Sequence, residues 1–441
     1  MLPRLQSPAI YPLRKGTKKI QTTRRGLFAL GVLSALGWAS GRGHALGSIA
    51  IRPNSHGPVG DVLVSIFLRG GVDGLSLIVP HGDDDYYRLR PTLALARPSD
   101  RRTKSTERVL DLDGFFGLHP ALAPLWPLQE AGQLAIVHAC GSGDQTRSHF
   151  EAMATMERGV QQETGPASGW LARHLETAPW NNPSPLRAVA LGSILPQTLS
   201  GASQTTTLST VADLRLQSPF GGSTARFERT LAQQYSAGAL AEAGQEALSM
   251  LKTLNHLPTD TSHIGHYPND DLSEGLRQVS LLIKSGVGLE AACLDHAGYD
   301  THVAQGTSQG ILAGRLQSLS SALAAFAADL GPEHWNRTTV VVMSEFGRRA
   351  AENSGLGTDH GRAGAMLVLG GHVVGGRVHG LWPGLGANQL EGPGDLKVTT
   401  DYRAVLAEII THRLKNPNAS AIFPGLELAG NKGAGIGLVH V

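Results

Sequence analysis

Residues 62–75 read VLVSIFLRGGVDGL. The first seven, Val62 to Leu68, are apolar except for Ser65 and lack clean alternation of polar and apolar positions, as a strand covered on both faces does. The six that follow, Arg69-Gly70-Gly71-Val72-Asp73-Gly74, form a turn. Its glycines would let the backbone approach a ligand and its carboxylate could hold a metal; the plainer alternative is a tight β-turn in which Asp73 bonds its own backbone. Similar apolar runs, each ending in Gly, Pro or a polar residue, recur at Leu75 to Val79, Leu134 to Ala139, Ala188 to Leu191, Leu289 to Leu294, Thr339 to Met343 and Met366 to Leu369. Helical patterns separate them. Leu312, Leu316, Leu319, Leu323, Phe326 and Leu330 step by three and four and so share one face, and Tyr402, Val405, Leu406, Ile409 and Ile410 open another helix after Thr400-Asp401. Alternating strand and helix predicts an α/β protein: a three-layer α/β/α sandwich around a mostly parallel central sheet.

The chain has 441 residues, 41% hydrophobic and 17% charged, a balance that suits a globular protein with a large core. With 55 glycines and 24 prolines it is rich in tight turns and long surface loops, where function tends to sit. Residues 46–441 are expected to form a single domain, interrupted by an insertion or cap at about 197–271. That stretch is Ser/Thr-rich, then rich in Ala, Gln and Glu, then closes on the polar turn His263-Ile264-Gly265-His266-Tyr267-Pro268. No internal repeat and no Walker-type phosphate loop occurs.

Arg4, Arg14, Lys15, Lys18, Lys19, Arg24 and Arg25 precede an apolar stretch from Leu27 to Trp38, and no acidic residue comes before Asp61. This is the layout of a signal peptide. The stretch is twelve residues long, whereas a helix crossing a bilayer needs about 20, so no stable membrane span is expected. Thr23-Arg24-Arg25-Gly26-Leu27-Phe28 carries the adjacent arginines of a twin-arginine signal, the alternative being an ordinary basic leader with two arginines side by side. Gly43-His44-Ala45 offers small residues for cleavage near Ala45. Residues 1–45 are therefore expected to be a twin-arginine signal peptide that engages the twin-arginine export machinery and delivers the protein to the periplasm or beyond. Their removal takes away eight basic residues, leaving 30 basic against 36 acidic and a formal charge of −6 in place of +2. A nucleic-acid partner then has no electrostatic basis. The only cysteines, Cys140 and Cys293, make no disulfide framework; both are expected to be small buried residues at strand ends, or else a single pair.

In a parallel sheet the carboxyl ends of strands open onto a shared crevice, and the polar clusters of this chain fall there. After the strand ending at Ala139 comes Gly141-Ser142-Gly143-Asp144-Gln145-Thr146-Arg147-Ser148-His149-Phe150, then helical sequence. Thr146 or Ser148 at that helix start is either a nucleophile over the positive end of the helix dipole or simply an N-cap. Asp295-His296-Ala297-Gly298-Tyr299-Asp300-Thr301-His302 supplies oxygen and imidazole donors for a transition metal, unless chance has clustered some of the chain's 18 histidines. Glu345 stands at a strand end where a ligand or base would lie, and Asp359-His360 between glycines is a ligand pair. Arg348 and Arg362 could clamp an anionic ester, or each could be a salt-bridged surface residue.

The chain resembles the bacterial twin-arginine-exported family known as domain of unknown function 1501, often labelled sulfatase-like and placed with the alkaline-phosphatase-like superfamily. The resemblance runs from about Asp61 onward and rests on Leu68-Arg69-Gly70-Gly71-Val72-Asp73-Gly74-Leu75, Arg147-Ser148-His149-Phe150, Gly298-Tyr299-Asp300-Thr301-His302, Ser344-Glu345-Phe346-Gly347-Arg348 and Gly357-Thr358-Asp359-His360-Gly361. It implies an alkaline-phosphatase-like fold and a metal-binding hydrolase of phosphate or sulfate esters. By that resemblance Asp73 is the first metal ligand, Ser148 (or Thr146) the nucleophile, Asp300 with His302 the middle ligand pair and Asp359 with His360 the late pair. The pattern departs in two places: Glu345-Phe346 stands where active phosphatases carry Asp-His, and no Cys/Ser-x-Pro-x-Arg sulfatase motif occurs. The expected function is an exported metal-dependent hydrolase or transferase of phosphate or related anionic esters. Its candidate metal ligands are Asp73, Asp300, His302, Glu345, Asp359 and His360, and its candidate catalytic residues Ser148, Thr146 and Arg348. Zinc is the first choice of cofactor, with Mn, Mg and Ca as alternatives, and a small anionic ester is the expected substrate. The alternative is a non-catalytic exported binding or assembly protein, with a protein partner, that keeps the fold and a structural metal.

Overall fold

The computed structural model describes residues 60–427 and 436–440, apart from 163, 164, 181, 183, 215, 217–222, 239 and 256–266. The leader with Arg24, Arg25 and Ala45, and the turn from His263 to His266, lie outside the described residues.

Strand β1 (Val62–Arg69) is followed by three two-residue strands, β2 (Ile78–Val79), β3 (Leu110–Asp111) and β4 (Gly117–Leu118), which form a small sheet of their own. The remaining strands are β5 (Leu134–Gly141), β6 (Ala188–Leu191), β7 (Thr205–Leu208), β8 (Ala291–Ala297), β9 (Thr338–Ser344), β10 (Gly364–Gly370), β11 (Val378–His379) and β12 (Thr400–Asp401). With β1 they make the main sheet, in the order β11-β5-β10-β9-β1-β8-β6-β7, with β12 also paired to β5. Only β10 runs against its neighbours, pairing antiparallel with both β5 and β9. The sheet is mostly parallel, as the apolar runs predict.

The absence of polar alternation in β1 has its cause in two cores. Val62, Val64, Ile66 and Leu68 enter one, while Leu63 and Phe67 enter the other. On the first face lie the helices Asp271–Lys284 and Ile311–Trp335, the latter burying the predicted stripe from Leu312 to Leu330. The 311–335 helix has the length and apolarity of a membrane span, but that stripe packs on the sheet, and the helix breaks at Gly331, where φ is 65°. The second face is covered by His149–Arg158, Trp170–Thr177 and Tyr402–Glu408, through Met156, Trp170, Leu171, Leu175, Tyr402, Val405 and Leu406. Helix, sheet and helix form the three expected layers.

Two details differ from the expectation, and a third decides between two alternatives. Leu75 to Val79 is not a strand: Gly74–Leu77 makes one helical turn, with the amides of Ser76 and Leu77 bonded to the Asp73 carbonyl at 3.2 and 2.9 Å, and only Ile78–Val79 is extended. The stretch expected as a cap begins inside the sheet, since β7 pairs in parallel with β6. Beyond it the helices Thr224–Gln234 and Ala241–Asn255 do gather a small separate cluster around Leu216, Leu231 and Leu248. Cys140 and Cys293 are both buried and free, so the single-pair alternative is set aside.

Candidate metal centre

Because β10 is reversed, its first residue, Gly364, lies at the same edge as the last residues of β5 and β9. The whole 345–363 connection therefore returns to the edge where the loops after β1, β5 and β8 emerge. Two glycines bring these loops together. Gly70 has φ +118°, and a Cβ there would stand 2.5 Å from the Asp300 backbone nitrogen. Gly71 has φ +65°, and its Cβ would stand 2.4 Å from the Phe346 ring. Both the backbone conformation and the space demand glycine. Glu345, the first residue beyond β9, turns into this packed junction with a fully buried side chain. Its Oε1 accepts hydrogen bonds from the Gly70 amide and the His149 Nδ1, both at 2.8 Å, and its Oε2 accepts one from the Ser344 hydroxyl at 3.0 Å.

Three imidazoles surround Asp300. His149 presents Nδ1 to Glu345, His360 presents Nδ1 to the Arg147 carbonyl at 2.9 Å, and His302 presents Nδ1 to Asp359 Oδ1 at 3.4 Å. An acceptor opposite each Nδ1 places the ring proton there and leaves the lone pair on Nε2. Those lone pairs converge. The Nε2 atoms of His302 and His360 are 2.9 Å apart and lie 3.1 and 3.2 Å from Asp300 Oδ1. His149 Nε2, buried and without a hydrogen-bond partner, faces Asp300 Oδ2 at 3.5 Å. Burial alone would raise the pKa of Asp300, but the Arg348 guanidinium hydrogen-bonded to it is the chief cause that holds it down at about 2. Burial lowers the pKa of His360. The Arg348 guanidinium, 2.6 Å from Asp300 Oδ1, offsets part of the negative charge here, and the donor set of imidazoles with one carboxylate is that of a transition-metal ligand shell. The ligand atoms of His149, Asp300 and His360 all lie within 4.8 Å of one another, so these residues fit a divalent cation. The Asp300 side chain is 48% exposed, which leaves the centre open to solvent on one side.

A family model described as "Protein of unknown function (DUF1501)" matches residues 61–409. The chain belongs to this family. No curated protein matches it. Among solved structures it is similar to the alkaline phosphatase of the Antarctic bacterium TAB5, at 10% identity over 71% of this chain and 92% of that one, with a TM-score of 0.26. A variant of that enzyme with Mg bound in its M3 site is similar at 11% identity over 71% and 91%, with a TM-score of 0.27.

In this member of the family the residues expected to form one site divide. Asp300, His302 and His360 meet, and Asp359 stands behind His302, fixed by Asn353 Nδ2 at 2.9 Å, whose hydrogen bond is the main cause of its lowered pKa. Asp73 does not join them. It is wholly buried, with its carboxylate held by the Arg90 guanidinium at 2.6 and 2.9 Å, by the Ser76 hydroxyl and by Gln305 Nε2, so no oxygen is left for a cation. Glu345 reaches the centre only through His149. Arg348 is no anion clamp. Its fully buried guanidinium donates to the carbonyls of Gly70, Gly71, Thr358 and Tyr299 and to Asp300 Oδ1 at 2.6 Å, which uses its hydrogen-bonding capacity within the fold. Arg362 is paired with Glu391. Thr146 donates its hydroxyl to Glu151 at 2.6 Å, whereas Ser148, at the start of the His149–Arg158 helix, makes no capping bond with its side chain. His149 is the residue that sequence reasoning passed over: it lies in Arg147-Ser148-His149-Phe150, where the two hydroxyl residues drew attention away from a histidine on the first turn of a helix.

Proposed function

We propose that this chain is an exported metal-dependent hydrolase, or transferase, of phosphate or related anionic esters, with its cation held by His149, Asp300 and His360 and with His302 beside them. The observation that carries this reading is the convergence of three Nε2 atoms, each ring held from behind at Nδ1, on the Asp300 carboxylate. Imidazole donors favour zinc over manganese, magnesium and calcium, which prefer shells of oxygen. A bound divalent cation supplies Lewis acidity to an ester oxygen and offsets the charge that develops in the transition state. Glu345 and Arg348 act behind the ligands, orienting His149 and Asp300. Ser148, directly before His149 and with its hydroxyl free of capping, is the attacking group this reading assigns. Delivery to the periplasm by the twin-arginine route belongs to the same reading and is supported by Arg24-Arg25 and the small residues up to Ala45.

The test is the metal content of the mature protein recovered from its own export route, followed by a screen of phosphate monoesters, diesters and sulfate esters. His149→Ala and Asp300→Ala should lose metal and turnover together. Ser148→Ala should keep most of the metal and lose turnover. A second reading, a non-catalytic protein with a structural cation, is favoured by the engagement of Thr146, Arg348 and Arg362 within the fold. A cation that binds and raises the melting temperature without turnover of any ester in the panel would put the second reading in place of the first, and metal-free protein whose melting temperature is the same in Zn, Mn, Mg and Ca would sink both.

A further inference from the structure

Each histidine loop of the centre also presents an apolar side chain to water. Phe150, directly after His149, is 84% exposed; Val303, directly after His302, is 67% exposed; Leu356, four residues before His360, is 53% exposed. The last two belong to one ledge. Ala304 N donates to the Gly355 carbonyl and Gln305 N to the Leu356 carbonyl, both at 2.9 Å, Asn353 Nδ2 donates to the His302 carbonyl at 3.1 Å, and Val303 lies against Gly355. Ala304 and Leu356 hold this pairing in left-handed backbone, at φ 50° and 57°, a conformation that is sterically unfavourable for a side chain as large as leucine. A strained backbone that presents a leucine half to solvent gains nothing from burial, and such outliers gather at functional sites. A bare inorganic anion has nothing to place on these side chains.

We infer that the ester taken at this centre is amphiphilic, with its anionic group at His149, Asp300 and His360 and its apolar group, an alkyl chain, laid over the ledge of Val303 and Leu356. The inference rests on the hydrolase reading and names the substrate class within it. The occupant is a single molecule taken from solution rather than a bilayer, because two side chains on one loop pairing expose far less apolar surface than a face that holds a protein on lipid.

The experiment is calorimetric titration of the zinc-loaded mature protein with n-alkylphosphonates of two to eight carbons, which cannot be hydrolysed. Affinity should rise by up to about fourfold for each methylene added until the chain outruns the ledge. Val303→Ser combined with Leu356→Ser should flatten that dependence with metal content unchanged, and each single substitution should flatten it in part, so that the outcome does not hang on one variant. Equal affinity for short and long chains in the wild type overturns the inference while leaving the cation centre standing, provided ethylphosphonate binds only the metal-loaded protein. Failure of every phosphonate to bind overturns the inference together with the reading beneath it. Sedimentation with phosphatidylglycerol vesicles, without chain-length dependence in solution, assigns the ledge to a membrane surface and overturns it as well.

Discussion

Asp73 and Glu345 each offer a carboxylate just beyond a central strand, and their surroundings give them different work. Burial by itself would raise the pKa of Asp73, yet the Arg90 guanidinium holds it below the usual carboxylate range. The pair is closed to solvent on both sides. Asp73→Asn should therefore cost about 3–5 kcal/mol of stability, because a buried guanidinium loses its countercharge, while the metal content of whatever folds stays the same. Denaturant unfolding beside metal analysis separates these effects; loss of metal without loss of stability would return Asp73 to the ligand shell. Glu345→Gln should do the reverse, weakening metal binding about 10- to 100-fold through the His149 ring with little change in stability. The sequence pattern places both acids at the right edge of the sheet. It cannot show that Arg90, seventeen positions away, closes over one of them while a histidine leans on the other. For the same reason His149 is visible only after folding, since nothing in Arg147-Ser148-His149-Phe150 reveals that Glu345 stands behind its ring.

The connection after β1 is the element on which the centre depends most. Gly71→Ala would put a methyl group against the Phe346 ring at a positive φ and disturb the carbonyl that accepts from Arg348 Nε at 2.6 Å. It should lower stability by roughly 1–3 kcal/mol, and it should reduce metal affinity too, because Arg348 is what steadies Asp300. A variant with unchanged melting temperature and metal content would show that the loop adapts. Elements as such were largely legible. Six of the seven apolar runs lie in strands of the main sheet, because chains buried on both faces have to be apolar throughout. Leu75 to Val79 misled because one buried helical turn is as apolar as a strand. Thr205–Leu208 escaped notice for the opposite reason: as an edge strand, most of it stays accessible and carries three threonines. The reversal of β10 leaves no mark in Gly364–Gly370, whose residues alternate between the two cores as they would in either direction.

Across the whole molecule, burial keeps several histidines neutral. It lowers the pKa of His119 and His138 to about 4 and that of His174 to about 3, each against an ordinary value of 6.5. Since the folded values are depressed, the unfolded chain binds these protons first. Stability is complete above about pH 6.5 and should fall as the pH drops from there toward 4, by about 1.4 kcal/mol per unit for each ring. A melting temperature that stays level from pH 7 to 4.5 would mean that these rings take up protons without unfolding. The export proposed above is also tested on the whole chain: changing Arg24 and Arg25 together to Lys should hold the precursor in the cytoplasm, and normal processing of that variant would remove the twin-arginine assignment. The position of β1 bears on the same journey. It is the first strand of the sheet to be synthesised and it lies near the sheet's centre, yet its partners β8 and β9 follow more than two hundred residues later. Until the ribosome has made most of the chain, both edges of β1 stay bare, open to pairing with the wrong strand or with another chain. Folding that nucleates late and over long sequence separations is best completed where chaperones can shelter the nascent chain, which is what the proposed export of a folded protein would require.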